Sequence, residues 1–377
     1  MTPHKIERDP VEAAQHFADT MITPNISAWT DNKCLPRDAF TRAAAVGLTG
    51  IEVPQALGGM GCSFSTKMRI AEILAAADFG VAMALINTHN VARKLADHPD
   101  TFLAKSHLPA LLKGDRIGCT ALTEPGAGSD FAAITTRGKA SAGGWVLNGE
   151  KAWITNATVA DCFVTYIQTK EAGDISGIAC VLVEANREGF VRGTASDPVG
   201  LHTIGSGSFR LVDYIARDAE MIGNPGAAFK SILREINGAR IYVAAMCCGM
   251  LQSAIDIVGA YGARRQTFGK PLVDHQGWRW VLAEAASQTA AVRALVQAAA
   301  AQLDANADVQ LIAAQTKIVA TRAVESHLPA LAHLMGAEGL RHNCPLGRHL
   351  VGARFAGLVD GSTEMLLERV AKLTRAI

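Results

Sequence analysis

Several short stretches of this chain bring together residue types able to hold a planar, phosphorylated ligand or to move a proton. The first is Leu122-Thr-Glu-Pro-Gly-Ala-Gly-Ser-Asp130. Apolar residues lead into it (Ile117, Ala121, Leu122), the pattern of a strand that ends in a turn. Pro125-Gly126 suits a type II turn, because proline presets its own φ and glycine accepts the positive φ that follows. Gly126 and Gly128 carry no Cβ, so a flat ligand or a diphosphate could approach the backbone closely. Successive N–H groups there, with the Thr123 and Ser129 hydroxyls, could form an anion-holding nest. The second stretch is Leu147-Asn-Gly-Glu-Lys-Ala-Trp-Ile-Thr-Asn156. Asn148-Gly149 is the strongest short hairpin signal, and it feeds a strand that alternates Ala152 and Ile154 with Trp153 and Thr155. An indole beside a hydroxyl could flank and hydrogen-bond a planar heterocycle, although a lone Trp in a sheet is more often core.

Three further stretches lie in the last third of the chain. Arg264-Arg-Gln-Thr-Phe-Gly-Lys-Pro-Leu272, with Gln276 beyond it, reads in isolation as a basic, solvated helix terminus. His333-Leu-Met-Gly-Ala-Glu-Gly339 is a glycine-containing break, and a metal reading of His333, His342, Cys344 and His349 fits no familiar zinc spacing. Leu358-Val-Asp-Gly-Ser-Thr-Glu-Met365 offers one central carboxylate, Asp360. From these residues alone Asp360 is an N-cap for the final helix, since Asp, Ser and Thr all favour that position.

The elements that must position these stretches change character along the chain. Residues 1 to about 114 read as helices joined by short turns. One of them, Pro36 to Gly47, starts at a proline and stops at a glycine, the expected asymmetry. The cluster Val53-Pro-Gln-Ala-Leu-Gly-Gly-Met-Gly61 reads as a loop. From 115 to 224, short β-rich runs such as Asp161–Ile167 and Ile178–Val183 alternate with glycine-containing turns, which predicts a compact β barrel or sandwich. From 225 to 377 the chain is helical again. Val281, Ala285, Val292, Val296, Ala299 and Leu303 recur at three-to-four spacing or its multiples, one face of a bundle helix. The expected class is therefore α+β, with a helical domain, a β domain and a helical bundle in that order.

Bulk properties narrow the function. The chain has 377 residues, 49% hydrophobic and 19% charged, enough for a large core and two or three domains. A net charge of +1 argues against nucleic acid or an acidic membrane surface as main partner. The eight cysteines form no Cys-x-x-Cys pair, and no Gly-x-Gly-x-x-Gly opens a βαβ unit, so neither a zinc framework nor a nicotinamide site is indicated. The N-terminus has no apolar signal core, and the apolar run near Ile241–Tyr261 is broken by Gln252 and Asp256. A cytoplasmic protein with no membrane span is the expectation.

Taken together, the octapeptide at 123–130 and the Trp-Ile-Thr strand at 153–155 resemble the acyl-CoA dehydrogenase family, and the order of helical, β and helical regions matches that family along essentially the whole chain. The resemblance implies FAD, with Thr123, Ser129, Trp153 and Thr155 around the flavin and Ser129 also facing substrate. Arg265, Phe268 and Gln276 match the segment that contacts the diphosphate and adenine of a neighbouring subunit's FAD, which implies a homo-oligomer, a tetramer by analogy. His333, Gly336 and Ala337 stand where the family has Gln-x-x-Gly-Gly-x-Gly, with His replacing Gln and Ala replacing Gly. Asp360-Gly361-Ser362 replaces the family's Glu-Gly-Thr, so Asp360 is the implied base. Gly361 then meets substrate, while Ser362 and Glu364 face cofactor. An alternative base before Arg240 is absent, since that residue is Ala239. Asn237 and Arg240 align with contacts to acyl-CoA. The implied reaction is α,β-dehydrogenation of an acyl thioester, with electrons passed to an electron-transferring flavoprotein. Two rivals share these residues: a nitroalkane-oxidase-like flavin oxidase, which also has Asp at the base position, and a catalytically silent flavin-binding member of the fold.

Overall fold

The computed structural model describes residues 9–374. Six helices come first: α1 (Pro10–Phe17), α2 (Thr23–Asp31), α3 (Arg37–Ala45), α4 (Phe64–Ala77), α5 (Phe79–Ala96) and α6 (Phe102–Leu112). Their starts follow local chemistry. Ser63 caps α4 by accepting from the Thr66 N–H, and Asp78 caps α5 by accepting from the Val81 N–H at 3.0 Å. Asp78 also accepts from the Thr203 hydroxyl at 2.9 Å and lies 3.4 Å from Arg348, so one buried cap ties three parts of the chain together.

Seven strands follow: β1 (Gly118–Ala121), β2 (Arg137–Ser141), β3 (Gly144–Ile154), β4 (Cys162–Gln168), β5 (Ile178–Glu184), β6 (Phe190–Ala195) and β7 (Gly207–Arg217). They form one curled sheet in the order β1-β4-β2-β3-β7-β6, with β5 also paired to β4. Strand β4 is buried along its whole length, its two polar residues Thr165 and Gln168 included. The turn between β2 and β3 falls at Ser141–Gly144, with Gly143 at φ 76°. Asn148-Gly149 is therefore not a hairpin turn. It lies inside β3 at a bulge, where Asn148 exchanges side-chain bonds with Asp213 and a Cβ on Gly149 would meet the Thr136 Cα at 2.6 Å.

The remainder is helical: α7 (Ala228–Arg264), the small hairpin β8 (Gln266–Thr267) and β9 (Lys270–Pro271), then α8 (Gln276–Asp304), α9 (Gln310–Leu334), α10 (Pro345–Leu358) and α11 (Thr363–Thr374). By length and composition α7 could cross a membrane, yet 72% of its most apolar window is buried inside the chain. It packs against α4, α8 and α9. Gly249 marks a close approach, since a Cβ there would stand 2.0 Å from the Glu72 carbonyl on α4. On α8, Ala285, Val292, Val296 and Ala299 are buried, while Val281 and Leu303 at the two ends of the expected face are only partly covered.

Candidate active site

The glycine-rich turn after β1 is closed by reciprocal bonds between Glu124 and Ala127, at 3.0 and 3.2 Å. Gly126 is not in the left-handed region, so the turn is not type II. The Glu124 side chain decides its shape instead. The carboxylate is buried and accepts from the Thr135 N–H and hydroxyl, the Thr136 N–H and, at 2.8 Å, the fully buried Lys151 ammonium. Burial alone would raise its pKa; Lys151 and these donors bring it down to about 2. Lys151 also donates to the Leu122 carbonyl, and the Ala152 N–H donates to Thr123, so the turn is fastened to β3.

Beyond that fastening, β3 bulges between Lys151 and Ile154 and Trp153 takes φ 58°. Its indole is 64% exposed, so it is not the core Trp that an isolated strand Trp usually is. A Cβ on Gly126 would meet nothing within 4 Å, and one on Gly128 only the Thr123 methyl at 4.0 Å. Ser129 is exposed, and Thr155 is half-buried in the turn after β3. The fold has no packing use for these small residues or for the exposed ring.

The second group gathers where α7, α9, α10 and α11 meet. Asp360 follows the end of α10 and takes φ 54°, and Gly361 takes φ 102°. Arg240 on α7 donates from Nε to the Asp360 carbonyl at 3.1 Å and from Nη1 to the buried Asn237 at 2.8 Å. Lys317 on α9, also fully buried, donates to the carbonyls of Val359 and, at 2.6 Å, Gly361. Burial pushes the Asp360 carboxyl above the usual aspartate range, and the Lys317 and Arg240 charges oppose that rise. Asp360 is not the cap of α11. Ser362 fills that place, accepting from the Met365 N–H on its hydroxyl and from Leu366 on its carbonyl. Glu364 is exposed in the first turn of α11.

The third group lies at the C-terminal end of α7, beyond Asn237 and Arg240. Arg265 ends α7 and is exposed, and Gln276 is exposed at the start of α8. Between them Phe268 and Gly269 form the tip of the β8–β9 hairpin at φ 49° and 78°. Phe268 is 97% exposed. At the end of α9, His333, Gly336 and Ala337 are exposed as well, and the Trp278 indole donates to the Leu334 carbonyl at 3.4 Å, which brings the two helix ends together. Of the histidines and cysteine weighed for metal, His342 meets Asp31 at 2.9 Å and His349 meets Ser253 at 3.1 Å, so they serve different contacts.

Three models of acyl-CoA dehydrogenase domains match the chain in succession: the N-terminal domain over residues 6–115, the middle domain over 119–214 and the C-terminal domain over 226–374. The chain belongs to the acyl-CoA dehydrogenase family. It is 30% identical over 359 residues to acryloyl-CoA reductase (NADH) of Anaerotignum propionicum, covering 93% of this chain and 90% of that one. It is likewise 30% identical over 362 residues to the human mitochondrial short-chain specific acyl-CoA dehydrogenase, covering 94% and 86%. Among solved structures it superposes on butyryl-CoA dehydrogenase from Megasphaera elsdenii with a TM-score of 0.93 at 26% identity, over 100% and 99% of the two chains.

An acyl-CoA dehydrogenase works with a flavin, and the residues present fit FAD. The open glycines 126 and 128, the exposed Trp153 in its bulge and the bare Phe268 beside Arg265 all leave room or surface that the chain itself does not use.

Sequence reasoning missed the buried lysines. Lys151 and Lys317 are both fully buried, and Lys67, also buried, pairs with Glu52 at 2.7 Å and donates to Asn90 at 2.8 Å. Glu52 in turn contacts the buried His89 at 3.1 Å. For Lys317 the signal is a lysine falling on an otherwise apolar helix face, among Ala313, Ala314, Ile318 and Ala320.

Proposed function

We propose that this acyl-CoA dehydrogenase performs α,β-dehydrogenation of an acyl-CoA, with Asp360 as the base. The observation that supports this reading best is the Asp360 loop. A carboxylate relieved of helix capping, at φ 54°, is backed by Arg240 and Lys317 through its neighbouring carbonyls. Burial raises its affinity for a proton, which suits a base that must take one from carbon near neutral pH. Asp360 takes the Cα proton. The electron pair left behind forms the Cα–Cβ double bond as the Cβ hydrogen departs as hydride. Bound FAD supplies the acceptor for that hydride. Charge developing on the thioester oxygen needs donors, and the Asp360 N–H, which has no acceptor in the chain among the described residues, is one candidate.

Trp153, Thr155, Thr123 and Ser129 would hold the flavin end, with Ser362, Glu364, His333, Gly336 and Ala337 as further contacts. Arg265 and Phe268, with Gln276, would serve the diphosphate and adenine of a second copy. Asn237 and Arg240 would meet the pantetheine and nucleotide of acyl-CoA, and Gly361 would also meet substrate. An electron-transferring flavoprotein is the acceptor this reading expects.

Anaerobic mixing of the purified yellow protein with a panel of acyl-CoAs tests the proposal. Bleaching by one class of acyl-CoA is the expected result. A protein that ignores every acyl-CoA and makes hydrogen peroxide from a nitroalkane would overturn it.

A further inference from the structure

The loop that carries Asp360 is held in an unusual way. Lys317 has no exposed surface, and a charged lysine in such a place costs several kcal/mol unless it is well paired. Its ammonium reaches the carbonyls of Val359 and Gly361 on either side of Asp360. Arg240 takes the carbonyl between them. Three successive carbonyls are thus each claimed by a cation, the buried Lys317 or the half-buried Arg240, and the residue they frame is the one at φ 54°. A non-glycine residue in that region is strained and persists only where its surroundings hold it.

We propose that Lys317 is the positioning residue of the base, fixing the Asp360 loop through its two flanking carbonyls. This rests on the reading of Asp360 as base. The loop could have been closed by a simple C-cap of α10, for which one donor at the Val359 carbonyl is sufficient. The second donor bond, to Gly361, fixes the far side of Asp360 as well. The aspartate side chain is one methylene shorter than glutamate, so it has less reach with which to correct a misplaced backbone.

The lysine also acts through its charge. Burial lowers its pKa to about 8, and Asp360, with Cys247 on α7, partly offsets that fall while Arg240 adds to it. From the other side Asp360 faces Lys317 and Arg240, Tyr242 on α7 feels the Asp360 charge, and Arg369 on α11 faces Arg240. Removing the ammonium therefore raises the proton affinity of Asp360, and the base stays protonated to a higher pH.

The test uses the FAD-loaded enzyme and the acyl-CoA that bleaches wild type fastest. Bleaching rate against pH, and exchange of the Cα hydrogens with D2O followed by NMR, are measured for wild type, Lys317→Met, Lys317→Arg and Asp360→Asn. Displacement of a reacting group by about 1 Å typically costs about 10²-fold. Lys317→Met is expected to lose about that much in both readouts, with half-saturation unchanged and the acid limb moved to higher pH. Lys317→Arg keeps the charge but not a point donor that serves two carbonyls, so its rate falls while its acid limb stays. A Lys317→Met enzyme with wild-type rate and an unmoved limb would reduce Lys317 to a helix cap and overturn the inference. Should the Met variant fail to fold, the Arg variant decides, since a wild-type rate there overturns it equally. Wild-type bleaching by Asp360→Asn would instead overturn the base assignment, whatever the lysine variants do.

Discussion

As the proposed base, Asp360 has to be a free carboxylate in a place that disfavours one. Burial raises its pKa, and Lys317 and Arg240 supply the opposing charge. Because the base acts in its deprotonated form, the bleaching rate is full above its pKa and is lost as pH falls through it. The acid limb of the rate profile should therefore lie above the usual aspartate value of 3.8. Removal of a positioned base typically costs 10²- to 10⁴-fold, or roughly 3 to 5 kcal/mol of barrier. Asp360→Asn should accordingly keep FAD and lose flavin reduction by that factor in stopped-flow measurements. Asp360→Glu should keep some activity and shift its preference toward slimmer acyl groups, because the longer side chain moves the carboxylate about 1.5 Å into the space the substrate fills. At this scale the motif residues were legible, since short motifs are local. Lys317 was not, because a lysine in a helix reads as solvated and nothing in one dimension places it beside residue 360.

Local elements carried less certain information. The Pro125-Gly126 pair follows the type II rule, yet Gly126 keeps an ordinary φ because the Glu124 carboxylate organises the turn from within. Asn148-Gly149 follows the hairpin rule, yet pairing of β3 with both β2 and β7 outweighs it and absorbs the pair as a bulge. In both cases a long-range contact overrode a dipeptide preference. The same contacts make a stability prediction. Breaking a buried ion pair by removing one partner costs about 3–5 kcal/mol, so Lys151→Met should lower the unfolding free energy by that order and weaken FAD retention. The Glu124 pKa is depressed in the folded state, from 4.5 to about 2. Its stabilisation is thus present above 4.5 and lost as pH falls toward about 2. The gap in melting temperature between wild type and Glu124→Gln should close across that window, and a gap independent of pH would show that the charge is not what braces the turn. Trp153→Ala, at an exposed bulge, should by contrast change stability within about 0.5 kcal/mol while loosening FAD.

The order of helical, β and helical regions was the most legible feature of the whole molecule, because helical patterning gives way to short β-rich runs between glycine-containing turns and then returns. Its assembly is a matter of distance. Arg240 lies on α7 and Arg265 directly follows that helix, so 25 residues at about 1.5 Å per residue put roughly 38 Å between them. No side chain spans that gap, so the group at the β8–β9 hairpin cannot serve the reacting end of a cofactor beside its own Asp360. Yet the hairpin is built to present something. Phe268 stands 97% exposed at φ 49°, a position that favours glycine or asparagine, and among the described residues its ring meets only the His275 ring edge-on, 6.3 Å between centroids. Arg265 beside it offers a guanidinium suited to phosphate oxygens. Trp280 on the adjacent helix is exposed as well. A second copy that presents its FAD to this hairpin satisfies all of these at once, so the protein in solution should be a homo-oligomer, a tetramer if it follows the resemblance. Stacking of a base on an aromatic ring is worth about 1–3 kcal/mol, or roughly 5- to 150-fold in affinity. Phe268→Ala should therefore leave the protomer's melting profile intact and weaken FAD binding by that factor, read by dialysis against free FAD. Light scattering that finds a monomer with full FAD occupancy would sink the shared-site account, since every residue in the hairpin would then lack the partner that explains it.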